Sequence, residues 1–242
     1  MYSIETAALT KKYGDITAVD RLDMKVFKGE IFSLLGVNGA GKTTVIKMLS
    51  CLSNPSSGGA HVGGFDITQE ERHVKKIIAI SPQETAVAPN LTAKENLELM
   101  CGVHGLSKHE SLTKINELSE KFGLFDILTR KAGKLSGGWQ RRLSIAMALV
   151  SEPSILFLDE PTLGLDVIAR SELWDIIRSL KGKTTVILTT HYMEEAEALS
   201  DRIGIMKDGR LLIVGTAREI MEDSGTDRFE DAFISVVKGE KK

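Results

Sequence analysis

Gly36-Val37-Asn38-Gly39-Ala40-Gly41-Lys42-Thr43-Thr44 is the stretch whose reading decides the fold. It follows the apolar, strand-like run Ile31 to Leu35 and precedes the helix-like run Val45 to Leu49. A strand, a loop of pattern G-x-x-x-x-G-K-T and a helix together make a phosphate cradle. Glycines let successive backbone N–H groups turn inward around oxyanions, and the N-terminus of the following helix adds its partial positive charge. Gly36, Asn38, Gly39, Ala40, Gly41, Lys42, Thr43 and Thr44 are therefore expected to hold a nucleotide. Lys42 is expected to reach the β- and γ-phosphates, and the Thr43 hydroxyl to sit on Mg²⁺. The plainer reading, a glycine-rich turn that happens to precede a lysine, leaves the flanking strand and helix unexplained.

The rest of the chain supports a globular frame around that loop. Its 242 residues are 42% hydrophobic and 26% charged, enough apolar material for a sizeable core. A net charge of -2 disfavours a surface that binds nucleic acid through backbone electrostatics. Two cysteines, Cys51 and Cys101, make no metal-type spacing and read as small buried hydrophobes in a reducing compartment. No secretory signal is visible at the start, and no window approaches ~18 consecutive apolar residues, so a cytoplasmic protein is expected.

Working outward, Tyr2, Ile4 and Thr6, then Leu22, Met24 and Val26, alternate as in half-buried strands, so an antiparallel β lobe is expected before the cradle. Tyr13 falls in a polar loop between them. Ala60 to Val62 and Phe65 to Ile67 flank Gly63-Gly64 as another hairpin, and Ile77 to Ile80 is a short strand that ends near Gln83. From about Thr92 the period becomes 3.6, with capping boxes at Thr92/Glu95 and Ser107/Glu110 and an apolar stripe of Leu112, Ile115, Leu118 and Phe122. The interleaved Lys108, Lys114, Glu117 and Lys121 read as a solvated face. Residues 87–152 are thus expected to form a helical insertion into a core made of residues 1–86 and 153–242.

Ser136-Gly137-Gly138 closes that insertion. Ser136 is a natural N-cap, and the glycines expose N–H groups along the dipole of the next helix, a second potential anion site. Ile155 to Leu158 then Asp159-Glu160 reads as a buried parallel strand with acids at its carboxyl end, where open α/β sheets bind ligands. Asp159 is placed to help hold Mg²⁺ and Glu160 to polarise a water for attack on the γ-phosphate. Thr184 to Thr190 is a further strand running into His191. The other four histidines read as surface or satisfied residues.

Taken together, these motifs resemble the nucleotide-binding subunit of an ABC transporter over essentially the whole chain. Gly36 to Thr43 resembles the Walker A loop, Gln83 the Q-loop glutamine, Leu135 to Gly138 the signature, and Ile155 to Glu160 Walker B with its glutamate. Asp166 fits the D-loop, His191 the switch histidine, and Tyr13 the aromatic that stacks on adenine. Trp139 stands where glutamine is frequent in that family, and Phe229-Glu230-Asp231-Ala232-Phe233 resembles the tail of subunits serving ABC-2 exporters.

The resemblance implies a P-loop NTPase (RecA-like) α/β core with an antiparallel β lobe and an inserted α-helical subdomain. It also implies ATP and Mg²⁺, with Gln83, Glu160 and His191 acting in hydrolysis, Gln83 joining Thr43 and Asp159 on the metal, and Ser136, Gly137, Gly138 and Asp166 on the nucleotide. Two such subunits, identical or different, would pair head to tail, and a separate membrane permease chain would hold the protein at the cytoplasmic face. The competing readings are a soluble ABC-type ATPase acting on nucleic acid, ribosomes or cluster assembly, and a P-loop phosphotransferase, which leaves Ser136 to Gly138 without a purpose.

Overall fold

The computed structural model describes residues 1–239. The chain opens with β1 (Tyr2–Tyr13), β2 (Ile16–Leu22) and β3 (Lys25–Phe27), an antiparallel lobe as the alternation requires. Ile4, Thr6, Leu22, Met24 and Val26 point inward, but Tyr2 does not. A register shift between Tyr2 and Ile4 turns it out of the row, and its ring packs on Phe27 with centroids 4.9 Å apart. Tyr13, expected in a loop, ends β1 instead.

Next come β4 (Ile31–Gly36), α1 (Lys42–Leu49), β5 (Ser57–Val62) and β6 (Phe65–Asp66). The β5–β6 hairpin does not stand apart. Pairing of β5 with β1 extends the first sheet to the order β2-β1-β5-β6, with β3 also on β1. A helix that the periodicity did not signal, α2 (Glu71–Ile77), buries only Val74 and leads to β7 (Ile78–Ser81).

Three helices follow: α3 (Ala93–Val103), α4 (Lys108–Phe122) and α5 (Gly137–Ala148). Both expected capping boxes form at Thr92 and Ser107. Ile115, Leu118 and Phe122 are buried, but Leu112 is exposed. The first turn of α4, like Val103 at the end of α3, lies outside the apolar cluster. Nor is Lys114 freely solvated. Its ammonium is held by Glu117 at 2.6 Å and by Glu152.

The remainder alternates as β8 (Ile155–Asp159), α6 (Val167–Arg178), β9 (Thr185–Thr190), α7 (Met193–Leu199), β10 (Arg202–Lys207), β11 (Arg210–Gly215), α8 (Ala217–Ser224) and α9 (Phe229–Lys238). The second sheet has the order β11-β10-β4-β9-β8-β7, parallel except for β11. Every residue of β4, β8 and β9 is buried, because both faces are covered. Phe32, Leu34, Phe157 and Ile187 pack with α1 and the β lobe, whereas Ile31, Leu156, Leu158, Val186 and Leu188 join the cluster built with α5 and α6. Phe229 and Phe233 of α9 close the far edge over Leu35, Ile203 and Ile205. Strand order puts β9 between β4 and β8, so the glycine loop and the acid pair emerge at one sheet end on either side of Thr190 and His191.

Candidate functional site

The loop after β4 takes its shape from glycines that no other residue can replace. A Cβ on Gly36 would stand 2.4 Å from the Met206 carbonyl oxygen. Gly41, at φ +99°, would bring one 2.4 Å from the Ala18 carbonyl oxygen. The first hydrogen bond along α1 runs from the Val45 N–H to the Gly41 carbonyl, so the N–H groups of Lys42, Thr43 and Thr44 are left for an outside acceptor. No side chain caps that helix start. An oxyanion is the group that such a turn suits.

Charged side chains converge on the same cleft. Lys42 is buried; its Nζ donates to the Gly36 carbonyl at 2.8 Å and stands 3.4 Å from Glu160 Oε1. Thr43 Oγ1 donates to Asp159 Oδ1 at 3.2 Å, and the Thr189 hydroxyl donates to that same oxygen. Glu160 sits in the left-handed region at φ +50°, a conformation that costs about 1–3 kcal/mol in a residue with a Cβ. It is held there because its N–H donates to both the carbonyl and the hydroxyl of Thr189, each at 3.1 Å. The Glu160 Oε2 atom faces His191 Nδ1 at 2.6 Å. An ionised carboxylate only accepts, so in that contact Nδ1 carries the hydrogen.

Gln83 lines the cleft, and its backbone is fixed by a residue the sequence did not single out. Arg141 of α5, almost fully buried, donates to the carbonyls of Pro82, at 2.5 Å, and of Gln83. Burial pulls that guanidinium below its ordinary pKa, opposed by the negative charge of Asp159. The cleft is about 360 Å³ in volume and is lined by residues 38–44, Gln83, Glu160 and His191, with Ala18 and Leu163 as members not foreseen. Gly36 and Asp159 lie behind it, reached through Lys42 and Thr43.

The other expected residues stand elsewhere in the same chain. Tyr13 is half exposed and outside the cleft wall, with the Lys11 ammonium 5.0 Å over its ring. Ser136 and Gly137 are exposed at the start of α5. The Ser136 side chain makes no capping bond, contrary to its reading as an N-cap that satisfies that helix. Asp166 does cap, accepting from the Ala169 N–H at 2.9 Å to start α6. The two helix starts adjoin, since a Cβ on Gly138 would lie 3.1 Å from that of Ala169. Thr189 and Arg141 were missed because only the fold brings them to Asp159 and Gln83. A threonine just before the strand-end Thr190 and His191, and paired arginines just after a glycine-started helix, are the faint signals they leave.

The fold and cleft define a P-loop nucleotide-hydrolysing cassette. The family model for ABC transporters matches residues 19–163. The chain is 43% identical over 221 residues to the daunorubicin resistance ATP-binding protein DrrA3 of Streptomyces coeruleorubidus, covering 91% of this chain and 70% of that protein. It is 41% identical over 240 residues to the probable multidrug ABC transporter ATP-binding protein YbhF of Escherichia coli K12, covering 97% of this chain and 41% of that protein. Among solved structures it superposes on an ATP binding subunit of an ABC transporter with a TM-score of 0.85 at 28% identity, covering 96% of this chain and 98% of that one. A dimeric post-hydrolysis state of the ATP-binding cassette MJ0796, bound to ADP and Pi, matches with a TM-score of 0.79 at 28% identity over 88% of this chain and 98% of that one.

The chain belongs to the ABC transporter family, as a subunit that binds and hydrolyses ATP. Subunits of this kind dimerise and act with membrane permeases. No helix among the described residues is long and apolar enough to cross a membrane.

Proposed function

We propose that the chain powers an exporter whose membrane-spanning part is a separate permease, by closing on ATP as a head-to-tail pair and reopening after hydrolysis. The observation that carries this is the split between two half-sites. Lys42 and the unpaired N–H groups of α1 grip a triphosphate from one side, while the turn that opens with exposed Ser136 and Gly137 has nothing to grip within its own chain. A second copy supplies what each half lacks.

In this reading Gly36 and residues 38–44 hold the phosphates, Tyr13 stacks on the adenine, and Ser136, Gly137, Gly138 and Asp166 approach from the partner copy. Thr43, Asp159 and Gln83 would hold Mg²⁺. The fit is good, since a hydroxyl, one carboxylate and an amide are the hard oxygen donors that Mg²⁺ shares with water and phosphate. When bound, the ion neutralises phosphate charge. Glu160 orients the attacking water and draws its proton, with His191 fixing the carboxylate from the far side. The helices of residues 87–152, entered at Gln83 and tied to it by Arg141, are the lever toward the permease.

Export as the direction of transport draws on the relatives named for drug resistance and multidrug transport, together with the Phe229 to Phe233 tail. The protein then works on the cytoplasmic face of the membrane. Coexpression with the membrane protein encoded beside it tests the reading. Copurification and permease-stimulated ATP hydrolysis are expected, whereas stimulation by DNA or ribosomes and not by the permease would overturn it.

A further inference from the structure

Glu195 is a carboxyl group inside the protein with no assigned task. It lies in the first turn of α7, 0% exposed. Its Oε1 accepts from the Thr162 hydroxyl at 2.8 Å and from the Trp174 indole N–H at 3.2 Å. The other oxygen, Oε2, is shut off from solvent and makes no hydrogen bond. Beside it stands the Thr190 side chain, whose oxygen accepts from the Tyr192 N–H at 2.9 Å.

These partners come from three places that matter to the cleft. Thr162 is two residues past Glu160, in the turn whose Leu163 N–H donates back to the Glu160 carbonyl. Thr190 directly precedes His191. Trp174 belongs to α6, the helix that Asp166 caps. One side chain therefore joins the turn bearing Glu160, the segment bearing His191 and the helix that follows the D-loop.

The charges around Glu195 are committed to other groups. Arg141 is held by the Pro82 and Gln83 carbonyls, Lys42 and His191 both face Glu160, and Arg170, which reaches Glu194 only at 4.0 Å and keeps its buried Nε unbonded, makes no ion pair with Glu195. An ionised carboxylate buried here would keep one oxygen unpaired beside the negative Glu160, which is costly in a low-dielectric interior. Burial pushes the Glu195 carboxyl above its usual range, with the Glu160 charge adding to the rise and the nearby Thr190 hydroxyl, together with the Thr162 and Trp174 donors, working against it.

We infer that Glu195 is a positioning residue for the hydrolytic pair, a buried neutral carboxylic acid that locks the Glu160 turn, the His191 segment and α6 into one register. The inference rests on Glu160 and His191 acting in hydrolysis as proposed above. Because the group works without charge, an amide of the same shape serves in its place, with its oxygen accepting from Thr162 and Trp174. An apolar side chain strands both donors and loosens the pair. Geometric slippage of this kind costs on the order of 10-fold to 100-fold in turnover without touching the nucleotide contacts.

The test is steady-state ATP hydrolysis by the full chain carrying Glu195→Gln, Glu195→Leu or Thr162→Val, with Glu160→Gln run in parallel. Glu195→Gln is expected to keep the parental kcat and pH profile, while Glu195→Leu and Thr162→Val lower kcat with KM for ATP unchanged. Thr162→Val is isosteric and decides the matter if the leucine variant does not fold. Loss in Glu195→Gln as deep as in Thr162→Val would overturn the inference, as would parental kcat in both Glu195→Leu and Thr162→Val. Failure of the underlying reading is distinct, because it shows as parental turnover in Glu160→Gln whatever the Glu195 variants do.

Discussion

In the proposed reading the cleft at the end of the parallel sheet and the turn at the start of α5 each receive an anion, yet the two differ in every other respect. Lys42, Asp159 and Glu160 are each less than 10% exposed and hold one another in place through Thr43, Thr189 and His191. Ser136 and Gly137 are exposed and bonded to nothing in their own chain that would explain them. A site that is finished orders its charges in advance. What distinguishes the two regions is that the side chains of the first are fixed by one another within the chain and those of the second are not.

Substitutions can break or sharpen that contrast. The largest effect is expected from Glu160→Gln, which keeps the shape of the finished half but removes the proton acceptor. Phosphate release in a single turnover should fall by at least about 100-fold while ATP still binds. Ser136→Arg attacks the open half instead. It should lower turnover by up to about 100-fold, as expected when a transition-state donor is displaced, with nucleotide affinity of the isolated chain unchanged in a fluorescence titration. Lys42→Ala returns to the finished half and should weaken ATP binding about 10-fold to 100-fold, since a charge-assisted contact is lost. The smallest effect concerns the two adjacent helix starts. Asp166→Ala removes a cap and should cost about 1 kcal/mol of stability in urea, whereas Ser136→Ala, which caps nothing, should cost close to none.

The same contrast explains what could be read from the sequence. The cradle and the acid pair were legible because each is a contiguous strand with its functional residues at the strand end, and a local pattern fixes local geometry. The capping boxes at Thr92 and Ser107 were legible for the same reason. Thr189, Arg141 and Glu195 were not, because their roles exist only through contacts across some 21 to 58 residues of chain. Seven-residue α2, with one buried side chain, is too short to show a period. Tyr2 misled because a bulge reverses the alternation it seemed to begin, and Leu112 because an apolar stripe in sequence does not say where its packing partner ends. Ser136 stands at the N-cap position of α5 as the sequence suggests, but without the side-chain bond that a cap makes. It looked like a cap for its own helix, and its hydroxyl is free of that duty.

That freedom is also what the account stands on, and light scattering on the Glu160→Gln variant measures it directly. With ATP and Mg²⁺ the particle should double from one chain to two, and adding Ser136→Arg should return it to one. A particle that stays single with nucleotide, or one that doubles regardless of Ser136→Arg, would contradict a site shared between two copies.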